Sequence, residues 1–420
     1  MITRRRFLAA SALAPMAFGI RANATPRVVV VGGGFGGCTA ARYIRKLAPS
    51  AEILLVDPAR SFITCPFSNL VLAGMRDIDS ISFSYRGLQA EGIELVPSFV
   101  EFVDIEKRKV ALEENDALLA WDYLVLSPGV QFRYEGIEGA SERTGFQLPH
   151  AWKGGFQTLR LKSQLEKMKP GGVFVIAAPD NPYRCPPGPY ERASLVAEYF
   201  KTHNPKAKII IVDAKDNFTK KELFMEGWEA LYPGMIDWVG VSETGSLRRV
   251  DGARKRFFTD FDEFQADVGN LIPPQRAAEL VTDAGLDGGR GWCEVDPASF
   301  ESRLAKNVYI LGDAVNANPM PKSAFSANNQ AKVCAAAIAA KINGKEAPEA
   351  FLLNTCYSLL ARDYGISISG AYRVQDDQLI AVPETGGQSA SGAAPEVRKI
   401  EARYTYDWYR AITRDTFGRS

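Results

Sequence analysis

The apolar positions fall into short runs with two different periods. Arg27–Val31 is an unbroken β-branched run, the pattern of a strand buried on both faces. A glycine-rich stretch, Gly32 to Gly37, follows. From Cys38 to Leu47 the period becomes helical, with Ala40, Ala41, Ile44 and Leu47 on one face. A second apolar run, Glu52–Val56, predicts a strand that ends at Asp57. Residues 58–120 mix a loop with short strands, and Trp121 to Gly129 reads as a buried strand closing in a turn. From near His150 the pattern predicts a helix over 157–168, a strand over 172–177, a proline-rich loop over 179–190, a helix over 191–203 and a strand over 208–213. Val308–Leu311 is a further strand, followed at Gly312-Asp313 by a turn and at 323–342 by a helix. The tail has strand signals at 366–373, a Gly/Ser/Ala linker at 386–394 and an aromatic stretch from Tyr404 to Tyr409.

Repetition of the β-loop-helix-β unit predicts an α/β fold. Two Rossmann-like dinucleotide-fold domains are expected, with a smaller C-terminal α+β domain. The expected boundaries are 25–150 with 270–345 for the first, 151–269 for the second and 346–420 for an interface domain. Residues 1–24 are set apart. Arg4-Arg5-Arg6-Phe7-Leu8, a short apolar stretch to Ile20 and Ala22-Asn23-Ala24 have the parts of a cleavable twin-arginine export signal, which places the mature chain in the periplasm. No later run is long and apolar enough to predict a transmembrane segment.

The first 24 residues hold four arginines and no acid, so the rest carries −3 of the overall +1. That balance argues against nucleic acid as a partner. With two histidines and no Cys-x-x-Cys, no metal site is expected, and without Cys-x-x-Cys-His the chain carries no c-type haem of its own.

Gly32-x-Gly34-x-x-Gly37 lies between a strand and a helix, with Asp57 at the end of the next strand, which is the context a dinucleotide-binding turn needs. The first glycine makes the turn, the second admits the pyrophosphate, and the third lets helix and strand pack. Leu124-Val125-Leu126-Ser127-Pro128-Gly129 and Ile310-Leu311-Gly312-Asp313-Ala314 resemble the strand-turns of two-dinucleotide-fold flavoproteins, which selects FAD over NAD. Gly32, Gly34, Gly37, Asp57, Val100, Gly129, Gly312 and Asp313 are the candidate cofactor residues. The second unit lacks such a turn. After Val173-Phe174-Val175-Ile176 it has a loop of prolines around Cys185, and proline has no N–H to cradle a phosphate. NAD(P)H is therefore not expected as donor or acceptor.

Phe62-Ile63-Thr64-Cys65-Pro66-Phe67-Ser68-Asn69, Tyr183-Arg184-Cys185-Pro186-Pro187-Gly188-Pro189-Tyr190-Glu191-Arg192, Asn270-Leu271-Ile272-Pro273-Pro274, Asn318-Pro319-Met320-Pro321-Lys322-Ser323 and Leu353-Asn354-Thr355-Cys356-Tyr357-Ser358 resemble the flavoprotein subunit of flavocytochrome c sulfide dehydrogenase, over about 27–420. The resemblance implies FAD joined covalently to Cys65, a redox-active disulfide between Cys185 and Cys356, sulfide as substrate and a c-type cytochrome subunit as partner in a heterodimer. Cys38, Cys293 and Cys334 match no such site; Cys38 and Cys334, on helices among alanines, read as buried inert thiols. Glu191 has two readings, an acid/base beside the disulfide or a first-turn residue stabilising a helix N-terminus. Lys322 is a lesser candidate for stabilising anionic sulfur or reduced flavin. Two alternatives stand beside this reading: a sulfide:quinone oxidoreductase, and a non-catalytic redox subunit that supports a partner complex.

Overall fold

The computed structural model describes residues 25–113 and 117–418, so the export signal lies outside the described residues. The first unit is built from β1 (Arg27–Val31), α1 (Phe35–Leu47), β2 (Glu52–Val56), β3 (Glu94–Val96) and β4 (Tyr123–Leu126). The second contains β5 (Val173–Ala178), α2 (Gly188–His203), β6 (Lys208–Asp213), α3 (Lys221–Leu231), β7 (Ile236–Val239) and β8 (Val268–Leu271). The chain then returns to the first unit through β9 (Val308–Ile310) and α4 (Ala324–Ile342). It ends in β10 (Phe351–Ala361), β11 (Tyr364–Gln375), β12 (Gln378–Ala381) and α5 (Pro395–Phe417).

The first sheet has the order β9-β4-β1-β2-β3, with every pairing parallel. Its central strand is nearly all valine, the composition of a strand buried on both faces; Val28, Val29 and Val30 are fully buried. The register sets Val31 opposite both Val56 and Leu126. The turns after these strands therefore open at one end of the sheet, where a doubly wound fold binds its ligand. The second sheet, β7-β6-β5-β8, is parallel in the same way. The third unit is the antiparallel sheet β10-β11-β12 with α5 packed on it. The fold is thus α/β, with two dinucleotide-fold units and a C-terminal α+β unit. Among the described residues, no helix is long and apolar enough to cross a membrane.

Three elements differ from the sequence expectation. Helix α1 starts at Phe35, taking Gly36 and Gly37 into its first turn. The reason is space: a Cβ on Gly37 would lie 1.9 Å from the Gly32 carbonyl oxygen, and one on Gly36 would lie 2.5 Å from Ser127 Oγ. Helix α2 starts at Gly188 rather than 191, with Pro189 in its first turn, where a missing N–H costs nothing. The tail differs most. The linker at 386–394 is irregular chain apart from the short strand Gly387–Gln388, but the aromatic stretch lies inside the 23-residue helix α5, and β10 lies ahead of the strand signal at 366–373.

Candidate functional site

The glycine turn forms the floor of a cavity of about 540 Å3. Gly32 has φ +102°, and a Cβ there would sit 2.4 Å from the Ser127 carbonyl oxygen, so only glycine fits. Gly33 N donates to Asp57 Oδ2 at 2.6 Å, and Asp57 Oδ1 accepts from Ala59 N at 2.9 Å. Burial holds the Asp57 carboxyl above its ordinary range despite these bonds. Each oxygen keeps a second lone pair for a further donor. Gly34, Gly129, Gly312 and Asp313 also line the cavity. Gly37 lies behind it and acts through the close α1 packing described above.

Val100 does not join the site. It lies in the strand Val100–Asp104, opposite Leu112, where its backbone belongs to a separate three-stranded antiparallel ribbon.

Asp313 supplies a direct test of cofactor fit. Its Oδ1 is buried with no hydrogen-bond partner, while Oδ2 lies 3.8 Å from Arg184 Nη1. Burial raises the Asp313 carboxyl, and Arg184 and Lys322 only partly offset it. An acceptor without a donor at a cavity wall is what a hydroxylated ligand chain would complete. The glycine cradle, Asp57 and Asp313 together fit FAD.

The far end of the cavity carries three thiols. The Cys65 thiol donates to the Trp152 carbonyl at 3.3 Å. Cys185 is held in the left-handed region at φ 60°, and its N–H donates to the Lys322 carbonyl at 2.9 Å. Gly188 N closes the loop by donating to the Cys185 carbonyl at 2.8 Å. Cys356 enters from β10, and its Sγ accepts from Asn354 Nδ2 at 3.3 Å. All three line the cavity.

The expected disulfide is not formed in this structure. All six cysteines are free thiols, with Cys356 engaged by Asn354 of its own strand. Burial pushes both thiols up. Glu191 pushes Cys185 further, whereas Lys220 draws Cys356 back. Cys38, Cys293 and Cys334 are fully buried away from the cavity, and the Cys38 thiol donates to the Gly33 carbonyl at 3.1 Å.

Glu191 occupies both places foreseen for it. It lies in the first turn of α2, and it lines the cavity. Its oxygens accept from Asn69 Nδ2 and Leu359 N, each at 2.9 Å, while burial raises its carboxyl. The Lys322 ammonium donates to the carbonyls of Asp313, at 3.0 Å, and Val315, so it braces the turn after β9.

Sequence reasoning assigned no role to Arg184, Arg192 or Lys220. Arg192 is 1% exposed, and burial pushes its guanidinium down to about 10. It donates to Asn69 Oδ1, Asn270 Oδ1 and the carbonyls of His150 and Ala151, which ties α2 to the loop after the first unit. The signal was its place beside Glu191 in the quoted motif. Lys220 has no such cue.

In the second unit, Asp213 ends β6 where Asp57 ends β2. Its carboxylate is taken by Tyr190 Oη at 2.6 Å, Trp238 Nε1 at 2.9 Å and Lys215 Nζ at 2.5 Å. The ring of Tyr190 stacks on Phe218 with centroids 3.6 Å apart. Side chains thus use the acceptor that a nucleotide ribose would need.

Comparison with known proteins agrees with this architecture. Three family models match in turn: pyridine nucleotide-disulphide oxidoreductase over residues 26–164, the central domain of the sulfide dehydrogenase [flavocytochrome c] flavoprotein chain over 158–273, and the flavin-binding domain of flavocytochrome c sulphide dehydrogenase over 348–417. The sulfide dehydrogenase [flavocytochrome c] flavoprotein chain of Chlorobaculum thiosulfatiphilum is 64% identical over 47 residues, 11% of this chain and 98% of that sequence. The mitochondrial sulfide:quinone oxidoreductase of Mus musculus is 23% identical over 324 residues, 73% of this chain and 69% of that one. The solved sulfide:quinone oxidoreductase of Aquifex aeolicus superposes with a TM-score of 0.73 at 17% identity, covering 94% of this chain and 93% of that one, which establishes likeness of fold. With the cavity, its thiols and these matches together, the chain belongs to the family of flavocytochrome c sulfide dehydrogenase flavoprotein chains, FAD-dependent oxidoreductases of the disulfide-reductase type.

Proposed function

We propose that this chain is the flavoprotein subunit of a periplasmic sulfide:cytochrome c oxidoreductase, working through a Cys185–Cys356 redox disulfide. The observation that carries the reading is the meeting of Cys185 and Cys356 on the cavity that starts at the glycine turn. The prolines after β5 and the engaged Asp213 support a donor other than nicotinamide.

Hydrosulfide, a soft nucleophile, would attack one sulfur of the disulfide. A new S–S bond forms as the old one breaks, leaving a persulfide on one cysteine and a thiolate on the other. When bound, FAD supplies the two-electron acceptor that can release its electrons singly to a one-electron partner. Gly32, Gly34, Gly37, Asp57, Gly129, Gly312 and Asp313 hold it in this reading, and Cys65 bonds it through a thioether. In this reading Glu191, which lines the same cavity, holds or returns a proton at the sulfur pair. The exposed Phe351 and Leu353 on β10 and Tyr404 on α5 offer apolar surface to a cytochrome subunit.

A quinone acceptor is the second reading, favoured by the length over which the mouse sulfide:quinone oxidoreductase matches. The test is spectral. Acid-precipitated protein should keep its yellow colour in the pellet, and Cys65→Ser should release FAD to the supernatant. Anaerobic sulfide should bleach the wild-type flavin, and NADH should not. Cys185→Ser and Cys356→Ser should keep FAD and lose the bleaching. Reoxidation by cytochrome c against a short-chain quinone separates the two acceptors. Bleaching by NADH and not by sulfide would overturn the reading.

A further inference from the structure

Lys220 is placed against three local preferences at once. It caps α3 in the left-handed region, with φ 65° and ψ 29°, where glycine or asparagine is favoured. It puts a cation at a helix N-terminus, the end that favours anions. Its side chain is also buried, 5% exposed, with no carboxylate oxygen within 4.0 Å among the described residues. The ammonium donates instead to two neutral oxygens, the Cys356 carbonyl and Ser358 Oγ, both at 2.8 Å. A neutral donor would serve those two acceptors without the cost of burying a charge. Such a cluster of broken rules points to a functional constraint.

The charge that Lys220 answers must therefore lie nearby. The ionisable groups facing it are Cys356 of β10, Glu191 of α2, Cys185 of the proline loop and Glu401 of α5; Tyr372 of β11 also faces Cys356. Glu191 is already bonded to Asn69 and Leu359, and Glu401 is paired with Arg398 at 3.0 Å. The two redox cysteines remain, and their charge changes during turnover; of the two, Cys356 is the one whose own backbone carbonyl the ammonium holds, at 2.8 Å. We infer that Lys220 is a positioning residue for the redox cysteines: it fixes the Cys356–Ser358 segment of β10 and offsets the negative charge each time Cys356 becomes a thiolate.

The inference rests on the disulfide reading above, and it holds for either site of attack. If hydrosulfide bonds to Cys185, the disulfide breaks and the electron pair leaves on Cys356. If it bonds to Cys356, the pair leaves on Cys185 and Cys356 carries S–SH. A second hydrosulfide then attacks the outer sulfur, departs with it as H2S2 and leaves Cys356 as a thiolate. Neither route needs an oxidant beyond the disulfide itself. Burial lowers the Lys220 ammonium to about 8 and raises the Cys356 thiol, while each group draws the other toward its charged form.

The test uses the full-length flavoprotein. After phosphine reduction, iodoacetamide labelling of Cys356 and Cys185 is followed against pH by peptide mass spectrometry, and anaerobic bleaching by sulfide is followed over the same range. In the wild type, Cys356 should label with a lower midpoint than Cys185. Lys220→Met should raise the Cys356 midpoint by about one unit or more and slow bleaching near pH 7 roughly tenfold, since one unit is tenfold in thiolate. The Cys185 midpoint should stay in place, and Lys220→Arg should recover most of the loss. A folded Lys220→Met protein with the wild-type Cys356 midpoint overturns the inference, as does a wild type in which Cys185 labels first. If Lys220→Met does not fold, the wild-type order of the two midpoints decides. Failure of sulfide to bleach the wild type would sink the disulfide reading, while the labelling still decides whether Lys220 serves the Cys356 thiolate.

Discussion

Asp313→Asn should move two measurable quantities in opposite directions. The ionised carboxylate lies at a buried cavity wall with one oxygen unpartnered and Arg184 3.8 Å from the other. At that distance and an effective dielectric of about 20, the attraction cannot exceed roughly 4 kcal/mol. Burial outweighs it, because the Asp313 carboxyl is held above its ordinary range in the folded protein. A raised carboxyl means that the charged form is disfavoured on folding. The apo protein therefore loses stability as pH climbs through the unfolded value of about 4, and the loss is complete above the folded value. Asparagine keeps the shape and an acceptor oxygen but removes the charge, and so ends that loss. Relief of the extra cost of an uncompensated buried charge over a neutral acceptor is worth about 1–3 kcal/mol. For a unit of roughly 200 residues this corresponds to about 2–4 °C in Tm per kcal/mol. FAD binding should move the other way, since a hydrogen bond to a charged acceptor contributes about 1.5–3 kcal/mol, or roughly 10- to 150-fold in Kd. A Cys65→Ser background makes binding reversible, so that apo Tm from thermal melts at pH 7 and Kd from flavin-fluorescence titration can both be read. A lower apo Tm with unchanged Kd would refute the assignment of Asp313 to the cofactor.

Two further substitutions probe the two dinucleotide units separately. Gly37→Ala sets a Cβ 1.9 Å from the Gly32 carbonyl, against backbone rather than a flexible side chain, so it should cost more than about 3 kcal/mol and yield protein without bound flavin, read as the 450 nm absorbance per chain. Tyr190→Phe removes a buried 2.6 Å donor to Asp213 and should cost about 1.5–3 kcal/mol by urea denaturation, with NADH still failing to reduce the flavin because the proline loop is unchanged.

The parts of the fold set by local pattern were legible in sequence. β1, β2 and β6 fall on their predicted residues because each is an apolar run bounded by a turn. The helix at Pro395–Phe417 was not legible, since its apolar contacts are long-range: Tyr409 stacks on Phe67 with centroids 4.0 Å apart, and Phe417 lies near Phe83 at 5.1 Å. Charged positions between these anchors hide the face from a local reading. Thr405 and Trp408 reach the cavity wall, while Tyr404 faces solvent. The site divides in the same way. Glycines, Asp57 and the cysteines announce themselves by residue type and spacing, whereas Arg192 and Lys220 matter through partners far along the chain.

The two dinucleotide units show how one scaffold can present different chemistry at the same strand end. In the first, the turn after β1 and Asp57 line an open cavity, and the Asp313 acceptor at its wall remains available for a ligand. In the second, the loop after β5 bends away through prolines, and Tyr190, Trp238 and Lys215 consume the acid at the end of β6. The same loop turns Cys185 toward the first unit's cavity by holding it in the left-handed region and fastening its N–H to Lys322. Lys322 in turn braces the Asp313–Val315 turn, so the thiol loop and the cofactor wall share one anchor. The exchange of a phosphate turn for a thiol loop therefore does two things: it closes a nucleotide site, and it fixes a sulfur at the wall of the other unit's cavity. An insertion that lengthened the proline loop would be expected to break the second relation before the first, since Asp213 is satisfied from α2, β7 and Lys215 whether or not Cys185 keeps its place.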